Sequence, residues 1–451
     1  MWNSQDIIIA TGGKLVGKQF VAESVAIDSR KLEKNALFIA IKGEVFDGHD
    51  FVAAAFVNAA VAAIVEKIPD DCPPNAIFIV VGDSFKALQD LAAFARKRSS
   101  AKIIAITGSV GKTGTKELTS KLLGNCYASK GNFNNHYGLP LSLVNLPQDA
   151  EFAVFELGMN HAGELADLSK LLRPHIGVIT NIAAVHLEFF ENLKAIAKAK
   201  SEIIEGIEPG GILILNRDGE FFDYLVAKAG AKDLKVITFG EHADTDYRLL
   251  EYSNQGENSQ IKISYQSKQK TFILGTSGRH WSLVLLAALA AAQAACGEIL
   301  QVDLSDFHEP QGRGKSETIA GITIIDDCYN ASPISMQAAI EKLGEFEGGR
   351  KIAVLGDMLE LGATSQALHE NLFADLISNK IDKLYAAGHF MHSLFELVPG
   401  DLQGGYAKNA SELAQIIVGD LQKGDVILIK GSRGSRMDIV RDKIKEKLNA
   451  L

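Results

Sequence analysis

The feature that most restricts this chain is the stretch Lys102 to Leu123, K-I-I-A-I-T-G-S-V-G-K-T-G-T-K-E-L-T-S-K-L-L. A short apolar run leads into a glycine-punctuated turn and then a helical pattern, so the spacing predicts strand, phosphate loop and helix. The opening amides of a helix lack intrahelical acceptors, and the helix dipole adds partial positive charge. Such a loop is therefore an anion cradle. Gly108 and Gly111 let the backbone approach phosphate, Lys112 can reach the outer phosphates, and the Thr113 hydroxyl can hold Mg²⁺. The full Walker A spacing has a glycine five residues before Gly111; Ile106 stands there, leaving the shortened form T-G-x-x-G-K-T. Thr107, Gly108, Ser109, Val110, Gly111, Lys112 and Thr113 are the expected nucleotide-binding run. A βα turn with incidental glycines is the plainer alternative, and the order strand, loop, helix argues against it. The loop locates a nucleotide but leaves the reaction open, since switches, transport ATPases and kinases share it.

A chain of 451 residues exceeds what one core usually serves, so two or three domains are expected. The net charge of −9 argues against a broad nucleic-acid footprint, although a small anionic ligand needs only a local pocket. Cys72, Cys126, Cys296 and Cys328 stand far apart in sequence. They suggest neither a disulfide framework nor a zinc site, and a reducing compartment fits them. The start M-W-N-S-Q-D lacks a basic n-region, so no signal peptide is expected. Two Ala-rich runs, Phe51 to Val65 and Leu283 to Cys296, are interrupted by Asn58 and Gln293. Both fall short of a span of about 18 to 20 residues and read as buried helices of a cytoplasmic protein without membrane insertion.

The expected fold class is α/β in three domains. Residues 1–85 form a small α/β unit with short strands around an Ala-rich helix. Residues 86–308 alternate strands with helices around the phosphate loop, which implies a mostly parallel sheet. A hairpin-like stretch from Tyr247 to Leu274 and a helix from Trp281 to Ala295 complete that unit. Residues 309–451 repeat a doubly wound, Rossmann-like pattern without a second phosphate loop.

In open α/β sheets, ligands sit beyond the carboxyl ends of the strands. Glu156, in F-E-L-G-M-N-H, ends one strand and can bind a metal that bridges nucleotide phosphates. His186 follows another in T-N-I-A-A-V-H, where a structural histidine is the commoner case. Lys200 shares a helix with Lys194 and Lys198, and the spacing reads as a solvated face. The stretch G-N-F-N-N-H-Y-G-L-P contains Asn134 and Asn135, whose amides suit a sugar or uracil-like partner but also suit a turn. In the first unit, D-S-R offers Ser29 and Arg30 as a phosphate site, and the loop Gly43 to Phe51 offers Asp47 and His49 to a ligand cleft. A solvated turn explains both stretches nearly as well. In the last unit the loops D-D-C-Y-N-A-S-P, G-D-M-L-E-L-G and K-G-S-R-G-S-R-M each follow a strand. Arg313, Lys430 and Arg433 can neutralise carboxylate or phosphate there.

These segments, in this order and over nearly the full length, resemble the Mur ligases of peptidoglycan synthesis. The resemblance implies three domains that hold, in turn, the UDP end of one substrate, ATP, and the incoming amine. It implies ATP-driven amide-bond formation between UDP-MurNAc-tripeptide and D-Ala-D-Ala through an acyl phosphate. By the same resemblance Lys112, His186 and Lys200 would be catalytic. Thr113 and Glu156 would bind one Mg²⁺, His186 would help bind a second, and Lys200 would support metal as a carbamate. Arg313, Asp327 and Asn330 would contact ATP, with Asp327 on the ribose. Ser29, Arg30, Asp47, His49, Asn134, Asn135, Asp357, Lys430, Ser432 and Arg433 would contact the substrates. A monomer is expected. The alternatives are a sister ligase adding a single amino acid, and a nucleotide-dependent switch or binding protein. The chain departs from the family pattern at Trp281 and Val284, where asparagines near adenine are usual, at Gly114 in place of Thr or Ser, and at Asp438 in place of Glu.

Overall fold

A computed structural model describes residues 1–43, 45–298 and 302–450. Three large sheets follow one another along the chain, each layered with helices, besides a two-stranded antiparallel pair, Trp2–Asn3 with Val21–Ala22. The first has five strands in the spatial order Lys14–Val16, Phe78–Val80, Ala60–Val65, Ala36–Ile39, Ser24–Ala26, parallel except for Lys14–Val16. Its central strands are unbroken apolar runs because both faces are covered: Leu37, Ile39 and Ile64 serve one core, Phe38, Ala63 and Val65 the other. The Ala-rich run from Phe51 is therefore not one helix. Val52–Val57 is helical, Asn58 ends it, Ala59 takes a left-handed φ of 77°, and Ala60–Val65 is a strand.

Helix Ser84–Arg98, capped by the Asp83 carboxylate accepting from the Lys86 N–H, packs on helices Ser4–Thr11 and Gly138–Val144. It joins the first unit to the second, and one apolar cluster runs unbroken from Trp2 to Leu234. Trp2 Nε1 donates to Val144 O at 2.8 Å, and the Asn145 amide exchanges two 2.9 Å bonds with the Val25 backbone.

The second sheet has nine strands. Strand Lys102–Thr107 lies between Ile176–Ile179 and Phe152–Glu156, the point where the winding direction reverses. Ligands collect at such a point. The stretch read as hairpin-like is three antiparallel strands, Tyr247–Gln255, Asn258–Tyr265 and Lys268–Leu274. Their second turn uses Gln266 and Ser267, both at positive φ, and so carries none of the usual glycine signal. The second Ala-rich run is a buried helix, His280–Cys296, lying on the face of this sheet opposite the Gly138–Val144 helix.

The third sheet has six strands in the order Lys315–Ile319, Ile322–Asp327, Val426–Lys430, Lys351–Gly356, Lys383–Ala387, Gln403–Ala407, with the first antiparallel. Its two edge strands, K-S-E-T-I and Q-G-G-Y-A, have no apolar run to mark them in the sequence. Asp327, Lys430 and Asp357 follow or end three adjacent strands on one edge. That edge faces the phosphate loop. Lys342 of the third unit binds Glu309 Oε1 at 2.7 Å and Gly314 O at 2.8 Å on the connecting segment, and Asn254 Nδ2 donates to Glu345 at 2.6 Å.

Candidate active site

The phosphate loop is held by residues behind it. A Cβ on Gly108 would lie 1.9 Å from Thr180 Oγ1, so only glycine fits, and Gly111 has a left-handed φ of 81° just before helix Lys112–Leu123. Asn181 Oδ1 accepts from the N–H groups of Ser109 (3.1 Å) and Val110 (2.9 Å), and Thr180 Oγ1 donates to Val110 O (2.6 Å). Two amides expected to face phosphate are thus already engaged. The anion-facing donors are those from Gly111 onward, at the helix start. Thr107, expected to bind nucleotide, is instead buried beneath the loop, with its carbonyl accepting from Thr180 N–H. Thr180 and Asn181 were missed by sequence reasoning. Their signal was a polar pair directly after strand Ile176–Ile179.

Beside the loop, Glu156 is 2% exposed, and both of its oxygens are engaged. Thr113 Oγ1 donates to Oε2 at 2.7 Å and Asn134 Nδ2 donates to Oε1 at 2.8 Å. Lys112 Nζ folds back onto Gly108 O and Ser109 O, at 2.8 and 3.2 Å. Burial holds the Lys112 amine below its usual range, Glu156 opposes that shift, and Arg313 across the cleft adds to it. The segment carrying Asn134 is anchored by Lys116, fully buried, whose ammonium donates to Ser129 O at 2.6 Å.

Lys200 overturns the solvated-face reading. Lys194 and Lys198 are exposed on helix Leu193–Ser201, but Lys200 is 3% exposed. Two residues advance an α-helix by about 200°, which carries Lys200 from the wet face to the core. Burial drives its amine well below the ordinary range, and the charge of Lys112 adds to the effect. His186 sits at a left-handed φ of 57°, with Nδ1 2.5 Å from Glu360 Oε2. That contact, with Glu188 N–H donating to Glu360 O at 3.0 Å, closes the second unit against the third. The hydrogen bond to His186 holds the Glu360 carboxyl below its usual range.

On the third unit, Lys430 Nζ binds Asp327 Oδ2 at 2.7 Å and Asn330 O at 2.9 Å. Burial pushes the Asp327 carboxyl up while Lys430 pulls it down. The Arg313 guanidinium lies 4.1 Å over the Tyr329 ring, and Arg433 is exposed at the cleft rim. Asp357 is a correction. Its Oδ1 accepts from the Met391 N–H at 2.8 Å, so it secures the start of helix His389–Leu397 and does not line the cleft.

The N-terminal candidates are also kept from the cleft. Arg30 forks onto Asp28 at 2.9 and 3.0 Å, and Ser29 is buried with its carbonyl accepting from Asn58. Asp47 pairs with His49 Nδ1 at 2.7 Å, while His49 Nε2 accepts from the Glu66 N–H. Glu44 of that loop lies outside the described residues.

A cleft of about 600 Å³ unites the rest: Lys112, Glu156, His186 and Lys200 from the second unit face Arg313, Asp327, Asn330, Lys430, Ser432 and Arg433 from the third, with Asn134 and Asn135 at one end. Among the described residues no three His, Cys, Asp or Glu side chains gather to cage a metal. The Thr113 hydroxyl and Glu156 carboxylate still fit Mg²⁺, which takes one or two carboxylates plus waters and substrate phosphates.

A phosphate loop, a buried carboxylate beside it and a facing basic lobe define a nucleotide-dependent enzyme of the phosphoryl-transfer class. Three family profiles match the chain: the Mur ligase family catalytic domain over 22–97, the Mur ligase middle domain over 106–292, and the Mur ligase glutamate ligase domain over 313–433. The chain belongs to the Mur ligase family. It is 36% identical over 449 residues to the UDP-N-acetylmuramoyl-tripeptide-D-alanyl-D-alanine ligase of Rickettsia prowazekii, covering 98% of this chain and 99% of that one. The ligase of the same name from Escherichia coli is 33% identical, covering 96% of each. MurF from Acinetobacter baumannii superposes with a TM-score of 0.87 at 31% identity and 99% coverage of both chains. MurF ligase from Thermotoga maritima, in complex with ADP, gives 0.80 at 29% identity, covering 95% of this chain and 98% of that one.

Proposed function

We propose that this chain is an ATP-dependent amide ligase that joins D-Ala-D-Ala to UDP-MurNAc-tripeptide in the synthesis of peptidoglycan precursors. The observation that carries the reading is the cleft itself, in which Lys112, Glu156 and Lys200 meet Asp327, Lys430 and Arg433 of another domain. Relatives matched over nearly the whole chain bear the name of that activity.

A carboxylate is a poor acyl donor until one oxygen becomes part of a leaving group. The terminal carboxylate of the tripeptide attacks the γ-phosphorus of ATP, the bond to ADP breaks, and an acyl phosphate forms. Lys112, released from the loop carbonyls it holds, offsets the repulsion between the two anions. Thr113 and Glu156 would hold Mg²⁺, which when bound would supply further positive charge to the phosphates. The amine of D-Ala-D-Ala then adds to the acyl carbon, loses a proton, and the tetrahedral intermediate expels phosphate. Arg433, exposed at the cleft rim, is the cation we assign to this peptide's carboxylate, since Lys430 is already paired with Asp327. Water must stay out, and the seams His186–Glu360 and Asn254–Glu345 support a third domain that closes as a rigid body.

A second Mg²⁺ near His186 and a carbamate on Lys200 belong to the same reading. A buried amine held neutral can add CO₂ and lose a proton; the anion would replace repulsion from Lys112 with attraction. The reading also carries a monomer acting in the cytoplasm. Among the described residues no helix is long and apolar enough to cross a membrane.

Mass spectrometry of the product tests the proposal. With ATP, UDP-MurNAc-tripeptide and D-Ala-D-Ala, the expected product is the UDP-linked pentapeptide. Ligation of a single amino acid in its place would identify a sister ligase. ATP turnover indifferent to both peptides, with no ligated product, would leave only a nucleotide switch.

A further inference from the structure

Two lysines follow the phosphate loop about one helical turn apart, Lys112 and Lys116, and the fold gives them opposite surroundings. Lys112 lines the cleft, whereas Lys116 is 0% exposed. Burying an ammonium is costly unless acceptors take up its protons. The carbonyl of Ser129 accepts from Lys116 Nζ at 2.6 Å, that of Gly131 stands at 3.4 Å, and Glu117 Oε1 at 3.0 Å balances the charge from the helix surface. Three acceptors for three protons hold the side chain in one place. A methionine would fill much the same volume without burying a charge, so packing alone does not account for a lysine here.

The segment that Lys116 grips leads to the carboxylate beside the phosphate loop. Ser129 is tied to the strand that ends in Glu156: its N–H donates to Val154 O at 3.0 Å and its Oγ accepts from the Glu156 N–H at 3.3 Å. The chain then leaves the sheet. Lys130 to Phe133 are exposed, Gly131 takes a left-handed φ of 53°, and a Cβ on it would stand in open space. Asn134 brings the chain back, with Nδ2 donating to Glu156 Oε1 at 2.8 Å and its carbonyl accepting from the Gly158 N–H at 2.8 Å. A Cβ on Gly158 would lie 3.0 Å from Asn134 Cγ, so the approach of that amide depends on where the segment lies.

This circuit begins and ends on one helix. Thr113 Oγ1 donates to the other Glu156 oxygen at 2.7 Å, and Thr113 and Lys116 stand three residues apart, neighbours on the helix surface. Glu156 is therefore held twice from the same rigid element, directly by Thr113 and, through the Asn134 segment, by Lys116.

We propose that Lys116 is a positioning residue for phosphoryl transfer: it fixes the segment that carries Asn134, and the Asn134 amide in turn keeps Glu156 in place beside Thr113, where the two would hold Mg²⁺. The proposal rests on the ligase reading above. Removing a group that orients a metal ligand lowers metal affinity or activity by about 10- to 100-fold. The test is a double-mutant cycle of Lys116→Met and Asn134→Ala in the full chain, because side chains that act through one another lose less together than the product of their separate losses.

The first readout is calorimetric: ADP is titrated at a series of Mg²⁺ concentrations, which gives the Mg²⁺ needed for half-maximal tightening of ADP. Each single variant should raise that concentration about tenfold, and the double variant should raise it no further. The second readout is kcat and KM for ATP during ligation, in which kcat should fall by the same factor in all three variants. Multiplied losses in the double variant would show two separate roles and overturn the proposal, as would an unchanged Mg²⁺ requirement in Lys116→Met. Should Lys116→Met fail to fold, Lys116→Gln, which keeps N–H donors, carries the same cycle. Loss of the fold in both would make Lys116 an anchor of the core alone and overturn the proposal too. If the unmodified enzyme did not ligate, the ligase reading would fall, and the ADP titration would still decide the role of Lys116.

Discussion

The phosphate loop and the D-S-R turn both read as anion sites in the sequence, and the molecule builds them in opposite ways. In the loop the binding groups are backbone amides at a helix start, held in place by Thr180 and Asn181 from behind. In the turn the binding group is one side chain, Arg30, already paired with Asp28 two residues away. A backbone site is committed by the fold before any ligand arrives. A side-chain site must first exchange one partner for another. The difference predicts that substitutions should matter most around the loop and least at the turn.

Lys112→Ala should give the largest effect, a fall in kcat on the order of 10³-fold with the thermal midpoint unchanged. Near-normal turnover would break the comparison at its strong end. Lys200→Ala should lose roughly 100-fold in activity, and added formate or acetate should restore part of it by supplying the missing anion. No recovery at any carboxylate concentration would remove the carbamate. Gly114→Ser should destabilise by about 1–3 kcal/mol through overpacking against Trp281, seen as a lower thermal midpoint. In a Trp281→Leu background the same change should cost less; equal losses in both would show that the indole is not what excludes the side chain. Arg30→Ala should have the smallest effect, a rise of about tenfold in KM for the UDP substrate with kcat and stability unchanged. An unchanged KM would show the turn to be self-contained.

The same contrast explains what could be seen in the sequence. Glycine spacing revealed the loop because the residues it needs are the ones that permit its backbone, Gly108 against Thr180 above all. The three α/β units were visible as alternating apolar runs, since their central strands are buried on both faces. Strands whose burial comes from a neighbour were not, as with K-S-E-T-I and Q-G-G-Y-A at the sheet edges, and a turn at Gln266 and Ser267 carried no glycine to mark it. Side chains were harder still. Lys200 looked solvated because Lys194 and Lys198 are, and only the register of the helix reveals the difference. Asp357 looked like a ligand-facing acid because it follows a strand, but helix His389–Leu397 begins where its carboxylate points. Glu360, which reaches His186 across the domain seam, has no signal within its own segment.

The account depends on the tripeptide's acid meeting the terminal phosphoryl group at the loop. Labelling both oxygens of that acid with oxygen-18 and collecting the phosphate released during ligation tests this most directly. The account predicts one labelled oxygen in each phosphate, carried over when the acyl phosphate breaks. Unlabelled phosphate, released at the same rate as ligated product, would contradict it.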